Sequence, residues 1–233
     1  MSAAQGFEWG VVLRDEYRDI LLQGIATTLG LTAAALAGGL LLGTLVSFAR
    51  LSPSPWLRKP AVAWVEFTCT VPLLVHLLFW YFGAPELLPA GPKAWLYRQD
   101  VGLYATLVAL TLYSAAFISE DLRSGFRSIP RGQVEAAQSL GFGRLQCFRL
   151  VVLPQALRVV VPPLLGQAMT IAKNTSVALM VGVGEVVYVS RAVQNSSFRT
   201  VETFAFTTVF FLLLAVLLTL ISQAYQRRVL LAT

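Results

Sequence analysis

Long apolar runs separated by short polar intervals dominate the sequence. A helix of about 20 mostly apolar residues crosses the roughly 30 Å hydrocarbon core of a bilayer. Because unpaired backbone groups are costly in lipid and the runs show no alternating barrel pattern, we predict that they are helices. The predicted segments run from about Ile20 to Ala49, Ala61 to Phe82, Val101 to Phe117, Val159 to Val183 and Thr203 to Tyr225.

This pattern predicts an all-α integral membrane protein with about five transmembrane helices. The third segment is predicted to continue as an amphipathic helix toward Arg127. Residues 1–19 are predicted to form an external N-terminal segment, and residues 20–233 a single transmembrane domain. Residues 128–158 form a basic, polar loop within that domain.

Composition supports the membrane assignment, because 56% of the residues are hydrophobic and only 13% are charged. Soluble domains usually carry about 25% charged residues. With the N-terminus placed outside, the inner loops hold eleven basic and three acidic residues, whereas the outer segments hold six and eight. Since an excess of Lys and Arg marks cytoplasmic loops, we predict that the C-terminus and loop 128–158 lie inside. This distribution explains the net charge of +6 without a nucleic-acid partner.

The sequence lacks the residues of common catalytic and cofactor sites. It has no G-x-x-x-x-G-K-[ST] phosphate loop. Its one histidine, His76, lies in an apolar segment and cannot form a histidine metal cluster. The two cysteines, Cys69 and Cys147, give no disulfide framework. We therefore predict that this chain is not an enzyme and holds no cofactor and no metal.

A motif with regular spacing lies in loop 128–158. Glu135-Ala136-Ala137 is followed by Gly141 and then by Val151-x-Leu153-Pro154. Residues 135–138 are predicted to form a short helix, separated from the third segment by Pro130. Its small alanines allow a partner surface to approach closely. Gly141 permits a turn that a residue with a Cβ would resist.

This motif resembles the EAA loop of ABC importer permeases, whose pattern is EAA, three residues, Gly, nine residues and Ile-x-Leu-Pro. The spacing matches at every step, with Val151 in place of the usual Ile. In that family the short helix sits in a cleft of a separate ATPase subunit and passes its motion to the transmembrane helices. The resemblance implies that ATP is hydrolysed on a partner. It also implies five coupling residues, namely Glu135, Ala136, Ala137, Gly141 and Pro154.

Further stretches, within residues 72–82, 114–133 and 173–185, resemble the polar amino acid permeases of this family. The chain departs from their pattern at Cys69-Thr70-Val71, where Arg-Gly-Thr or Arg-Asn-Val is common. It departs again at His76, where Gln is usual. Those departures concern the pore or the substrate rather than the class of protein.

The resemblance implies a permease for a polar amino acid, of the glutamate/aspartate type or the histidine, glutamine and arginine type. It implies a location in the bacterial cytoplasmic (inner) membrane, where two permease subunits, identical or related, form the pore. ABC ATPase subunits would bind the inner face. An external substrate-binding protein would deliver the amino acid.

Lys173 is a cation inside the fourth apolar segment. Such a charge costs about 2.5–3.5 kcal/mol on insertion scales and therefore usually faces a cavity or a partner. One interpretation is that it lines the translocation path and meets a substrate carboxylate. The alternative is a structural ion pair with Glu66 or Glu120. The candidate residues of the substrate path are Lys173, Asn174, Thr175, Ser176, Pro72, His76 and Glu66.

Two other functions are compatible with a membrane protein of this size. A secondary transporter or channel could use Lys173 and Glu66 as an ion site, and it would be active without an ATPase. A membrane-embedded enzyme is disfavoured because the sequence has no cluster of His, Asp or Cys residues.

Overall fold

The computed structural model describes residues 9–230, and within them every regular element is helical. Short 3-10 turns cover Trp9–Leu13, Ala84–Leu87 and Thr175–Val181, and π-helical turns cover Phe79–Gly83 and Phe148–Val152. The α-helices are α1 (Asp15–Leu51), α2 (Pro55–Thr70), α3 (Leu73–Leu78), α4 (Ala90–Leu96), α5 (Val101–Arg127), α6 (Arg131–Ser139), α7 (Arg144–Cys147), α8 (Leu153–Asn174), α9 (Val186–Ser197) and α10 (Thr200–Leu230).

Four helical stretches in the described residues are long and apolar enough to cross a membrane. They are Asp15–Leu51, Val101–Arg127, Arg144–Val181 and Thr200–Arg228. The number rises to five if Pro55–Thr70 and Leu73–Leu87 are counted as one broken span. The predicted all-α membrane fold with about five spans is confirmed, and so is the continuation of the third helix to Arg127.

The second predicted segment is not one continuous helix, so that prediction is wrong. Helix α2 ends at Thr70, Val71 is extended with φ −85° and ψ 132°, and α3 starts at Leu73. The cause is Pro72, whose ring disfavours the helical conformation at the residue before it. Proline also has no N–H with which to continue the helix.

Helix α1 begins before the first predicted segment, at Asp15 rather than Ile20. Asp15 and Glu16 lie in its first turn, where carboxylates interact favourably with the positive end of the helix dipole. Residues 15–19 of the predicted external segment therefore belong to a helix, and residues 1–8 of that segment lie outside the described residues.

The chain divides into two compact units, and each is described by itself. Unit 1 comprises Met1–Ala35, Leu73–Leu110 and Thr170–Leu217. In it, α9 packs on the start of α1, and Val189 and Val193 are buried with Tyr17 and Leu21. Gly24 permits this approach, since a Cβ there would lie 2.3 Å from Cγ2 of Val189.

Unit 2 comprises Leu36–Pro72, Thr111–Met169 and Leu218–Thr233. Here α1 packs closely on α5, because a Cβ at Gly43 would lie 2.8 Å from the carbonyl oxygen of Ala115. Small residues allow such close packing between membrane helices. Helix α8 joins them through Val160, which is buried with Ile118 and Leu122. These contacts hold the end of α5 from which loop 128–158 departs.

We expect opposite stability changes at two left-handed positions of unit 1. Phe198 has φ 57° at the end of α9, and Gly182 has φ 78°. A left-handed conformation costs an ordinary residue about 1–2 kcal/mol, and the Phe198 side chain is 78% exposed. Phe198→Gly should therefore raise the thermal unfolding midpoint of the purified chain, by about 0.5–1 kcal/mol in free energy. Gly182→Ala should lower the midpoint, and shifts of one sign for both variants would contradict this account.

Candidate coupling loop and substrate cavity

Helix α6 displays the EAA residues at the surface of unit 2. It runs from Arg131 to Ser139 after the break at Pro130, so the short helix predicted over residues 135–138 is present. Glu135 and Ala136 are exposed, whereas Ala137 is buried. The helix therefore exposes one carboxylate and one small side chain, and its buried Ala137 packs against the rest of the protein.

Gly141 turns the chain at the end of α6 with φ 86°. The N–H groups of Leu140 and Gly141 donate to the carbonyls of Ala136 and Gln138, and the N–H of Phe142 donates to Ala137. These bonds satisfy carbonyls that a helix end otherwise leaves unpaired. The predicted turn at Gly141 is present, and its φ is one that residues with a Cβ rarely adopt.

The chain returns from the turn as a nearly continuous helix. Helix α7 and the π-helical turn Phe148–Val152 lead into α8, so the fourth helical stretch starts at Arg144 rather than at the predicted Val159. Pro154 follows the π-helical turn and is the second residue of α8.

Three exposed leucines that were not predicted follow α6 in the chain. Leu140 is 78% exposed, Leu145 67% and Leu150 64%. All three lie in the loop that was interpreted as basic and polar. One feature of the sequence could have predicted these exposed leucines: they recur between charged residues and form no apolar run. We call these three leucines and the exposed Ala136 the leucine patch.

Charged side chains tie the end of α5 to its neighbours in unit 2. Nη1 of Arg50, at the end of α1, donates to Oε2 of Glu120 at 2.6 Å, and Arg123 also pairs with Glu120. On α8, Gln167 donates to Oδ2 of Asp121 at 3.0 Å. Since α6 follows α5 after a break of three residues, a displacement of α6 would act on α1 and α8 through these contacts.

Lys173 and Ser176 line a cavity of about 480 Å³ in unit 1. Helices α9 and α10 supply the rest of the lining, which combines hydroxyls with aromatic surface. These residues are Val187, Phe204, Thr207, Thr208 and Phe211. An apolar cavity with a few convergent polar groups is typical of a small-molecule site, and the ammonium group would suit a carboxylate.

The four residues from Lys173 to Ser176 do not share one face. Thr175 is fully buried, and its hydroxyl donates to the carbonyl of Ala172 at 2.8 Å. Asn174 lines a separate narrow gap with Leu77 and Ala178. Residues three apart share a helical face and the two between them do not, and the 3-10 turn that starts at Thr175 preserves this pattern. The cavity thus has Lys173 and Ser176 in its lining but not the two residues between them.

The remaining predicted path residues are distributed over both units. His76 is half-buried on α3 in unit 1, whereas Glu66 is exposed on α2 in unit 2 and Pro72 lies at the break between these helices. Glu120, considered as an ion-pair partner of Lys173, is paired with Arg50 and Arg123 instead. The alternative pairing of Lys173 with Glu66 stays a prediction.

Glu185 is a fully buried carboxyl to which the sequence analysis gave no role. Its two oxygens accept the N–H groups of Val187 at 2.9 Å and Tyr188 at 2.8 Å, and so cap α9. Burial raises the pKa of Glu185, and the two backbone hydrogen bonds oppose that rise. Thr28 Oγ1 accepts the N–H of Val186 at 3.0 Å. These bonds fix the start of α9, which carries Val187 to the cavity wall.

A sequence profile of the family described as binding-protein-dependent transport system inner membrane component matches residues 35–231. The probable glutamine ABC transporter permease protein GlnM of Bacillus subtilis strain 168 is 34% identical over 217 residues, which are 93% of this chain and 96% of that protein. The glutamate/aspartate import permease protein GltJ of Escherichia coli K12 is 28% identical over 233 residues, covering 96% of this chain and 95% of that protein.

The fold is also similar to that of a chain in a crystal structure described as an amino acid ABC transporter with histidines. The TM-score is 0.84, and the match covers 96% of this chain and 100% of that chain. The two sequences are 23% identical, so this likeness concerns the fold alone.

Proposed function

This chain belongs to the family of inner membrane components of binding-protein-dependent transport systems, and we propose a transport mechanism for it. It is a multi-pass membrane permease, and its function is that of the membrane-spanning subunit of an ABC importer for polar amino acids. The features of the chain that support the finer parts of this proposal are the exposed α6 with its Gly141 turn and the cavity at Lys173.

The observation that carries the coupling proposal is α6 itself. Glu135 and the residues of the leucine patch are exposed, in the sequence pattern that resembles the EAA loop. Protein interfaces combine an apolar centre with a polar rim, and the exposed residues of this loop include both kinds. We infer that an ABC ATPase subunit covers this surface and that ATP is bound and hydrolysed there, with no cofactor on this chain.

Movement of α6 is proposed to open and close the transport path. The ion pairs of Glu120 and the hydrogen bond of Asp121 link the end of α5 to α1 and α8. Closure of the ATPases would displace α6, and these contacts would carry the displacement into the spans. Such a cycle requires two conformations that ATP and substrate stabilise differently.

The proposed orientation places the N-terminus outside the cell and the C-terminus in the cytoplasm. The excess of arginines around α6 and at the end of α10 supports it, because Lys and Arg accumulate on the cytoplasmic side. An ATPase on α6 then has access to cytoplasmic ATP. A second permease subunit, identical or related, and an external substrate-binding protein complete the proposed complex.

Glutamine, glutamate or aspartate is the proposed substrate, by analogy with the names of GlnM and GltJ. Lys173 supports an amino acid with a carboxylate, as it lines the cavity of unit 1 beside hydroxyl groups. Every amino acid has an α-carboxylate, so this contact is compatible with a neutral or an acidic side chain.

The substrate is tested by reconstituting the permease with its ATPase and binding protein in proteoliposomes. ATP hydrolysis is measured with binding protein loaded in turn with glutamine, glutamate, aspartate, histidine or leucine. We expect at least fivefold stimulation by one or two polar amino acids and none by leucine. Equal stimulation by all five would remove the amino acid assignment.

A secondary transporter or channel is the second candidate function, and the observation in its favour is that Lys173 lines the cavity of unit 1. It predicts uptake into proteoliposomes that contain this chain alone and an ion gradient. Uptake that appears only after the ATPase, ATP and binding protein are added would eliminate it.

A further inference from the structure

A second cavity lies in unit 2 between α8 and α10, apart from the coupling surface. Its volume is about 340 Å³. Gly166 faces it from α8, and a Cβ added there would meet nothing within 4 Å. From α10 the lining includes Thr219, Ser222, Gln223 and Gln226. None of these residues belongs to the coupling surface or to the proposed substrate path.

The α10 residues form a polar stripe along one helical face. Positions 219, 222, 223 and 226 follow the i, i+3, i+4, i+7 spacing of a single face. Elsewhere α10 exposes large apolar side chains, among them Leu213 at 64% and Leu220 at 57%. Polar residues within a membrane span usually face a cavity or a partner rather than acyl chains, so the stripe indicates a polar ligand in this cavity.

On the α10 side, the cavity wall changes from apolar to polar along its length. Leu218 and Thr219 lie at the end toward the middle of α10, and the amides of Gln223 and Gln226 lie at the end toward its C-terminus. Met169 and Leu165 of α8 add apolar surface. Gln226 donates to Ser222 Oγ at 3.2 Å. A ligand that fits this wall has an apolar part and a polar part.

Two arginines extend the lining faces beyond the polar end. Arg158 lies one helical turn before Pro162 on α8, and Arg227 lies one turn after Gln223 on α10. Each arginine is therefore on the same face of its helix as the residues that line the cavity. Both arginines are exposed. Because α8 and α10 belong to consecutive spans, the two arginine ends face the same membrane surface. Guanidinium groups bind phosphate through paired N–H donors.

We propose that this cavity binds one anionic phospholipid from the leaflet on the side of α6. The acyl chain contacts Leu218 and Met169, the glycerol esters contact the hydroxyls and amides of α10, and the phosphate binds Arg158 and Arg227. A polar amino acid would leave the apolar end unmatched. The proposal rests on the membrane placement of the proposed function but not on its substrate or its ATPase.

The test is native mass spectrometry of the full chain, purified in mild detergent and supplied with equal amounts of phosphatidylglycerol and phosphatidylcholine. We expect one phosphatidylglycerol retained per chain. Arg158→Gln or Arg227→Gln should each reduce its retention about fivefold, as expected for one arginine at a membrane surface. Gly166→Leu should reduce it further by filling the cavity. Arg191→Gln, an exposed arginine on α9 in unit 1, is the matched control and should retain the lipid.

Several results would overturn this proposal. Equal retention of the two lipids, or unchanged retention in both arginine variants, would show that no anionic headgroup is bound there. Displacement of the lipid by glycerol 3-phosphate would indicate a site for a soluble phosphate. Loss of a chain dimer in Gly166→Leu, with lipid retention intact, would assign the cavity to a second copy of the chain. Import measured separately with the ATPase and binding protein would show whether the proposed function fails.

Discussion

Replacing Glu135 by Ala is expected to reduce substrate import at least tenfold while leaving the permease folded. The carboxylate is exposed on α6, so its removal disturbs no described contact of its side chain within the chain. Truncating a charged group that is hydrogen-bonded across an interface typically costs about 2–5 kcal/mol of binding free energy. Import in proteoliposomes and co-purification of the ATPase should therefore fall together.

Gln133→Ala is the matched control for this prediction. Gln133 is exposed on the same helix but lies two residues from Glu135, on a different face. Its replacement should leave import within about twofold of wild type. Equal losses in the two variants would show that α6 contributes general structure. Full import in Glu135→Ala would show that the carboxylate does not couple the subunits.

Glu120→Ala is expected to lower the free energy of unfolding by about 2–3 kcal/mol. The Arg50 side chain is 7% exposed and has Glu120 as its ion-pair partner. Removing one member of a buried ion pair costs about 3–5 kcal/mol, because the remaining charge is left unpaired. We expect a value at or below the lower limit of this range, since the Glu120 side chain is 42% exposed. Thermal unfolding of the purified chain in detergent measures the change.

Arg123→Gln separates this effect from a general loss of surface charge. Arg123 is 24% exposed, and its loss leaves the Arg50–Glu120 pair in place. We expect a decrease below about 1 kcal/mol, in the range of exposed pairs. Equal destabilisation by Arg123→Gln and Glu120→Ala would contradict the account of Arg50 as a buried charge that needs Glu120.

The membrane spans were predictable from the sequence, because a long apolar segment of this chain can cross a bilayer only as a helix. The break at Pro72 was predictable from the same sequence by a local rule, since proline restricts the residue before it. The early start of the fourth helical stretch was not, because Arg144 and Arg149 resemble loop residues. The helix there is held by burial of Cys147, which is 3% exposed, and this is tertiary information.

The turn at Gly141 was predictable because its cause is the steric demand of one residue. The Arg50–Glu120 pair was not, since it joins residues 70 positions apart, and sequence spacing says nothing about such a contact. The division of Lys173 and Ser176 from Asn174 and Thr175 was predictable, because residues three apart share a helical face and the two between them do not. The change from α to 3-10 geometry at Thr175 was not predicted, and Ala178 in the middle of that turn is buried with Leu31 and Val183.

The most direct test of the coupling account is photo-crosslinking in cells from position 136. A photoreactive phenylalanine analogue replaces the exposed Ala136 on α6 in one strain and the exposed Leu213 on α10 in another. The account predicts that irradiation links position 136 to a cytoplasmic P-loop ATPase and that position 213 gives no such product. Adducts of position 136 with an external protein, or with no ATPase while import continues, would contradict it.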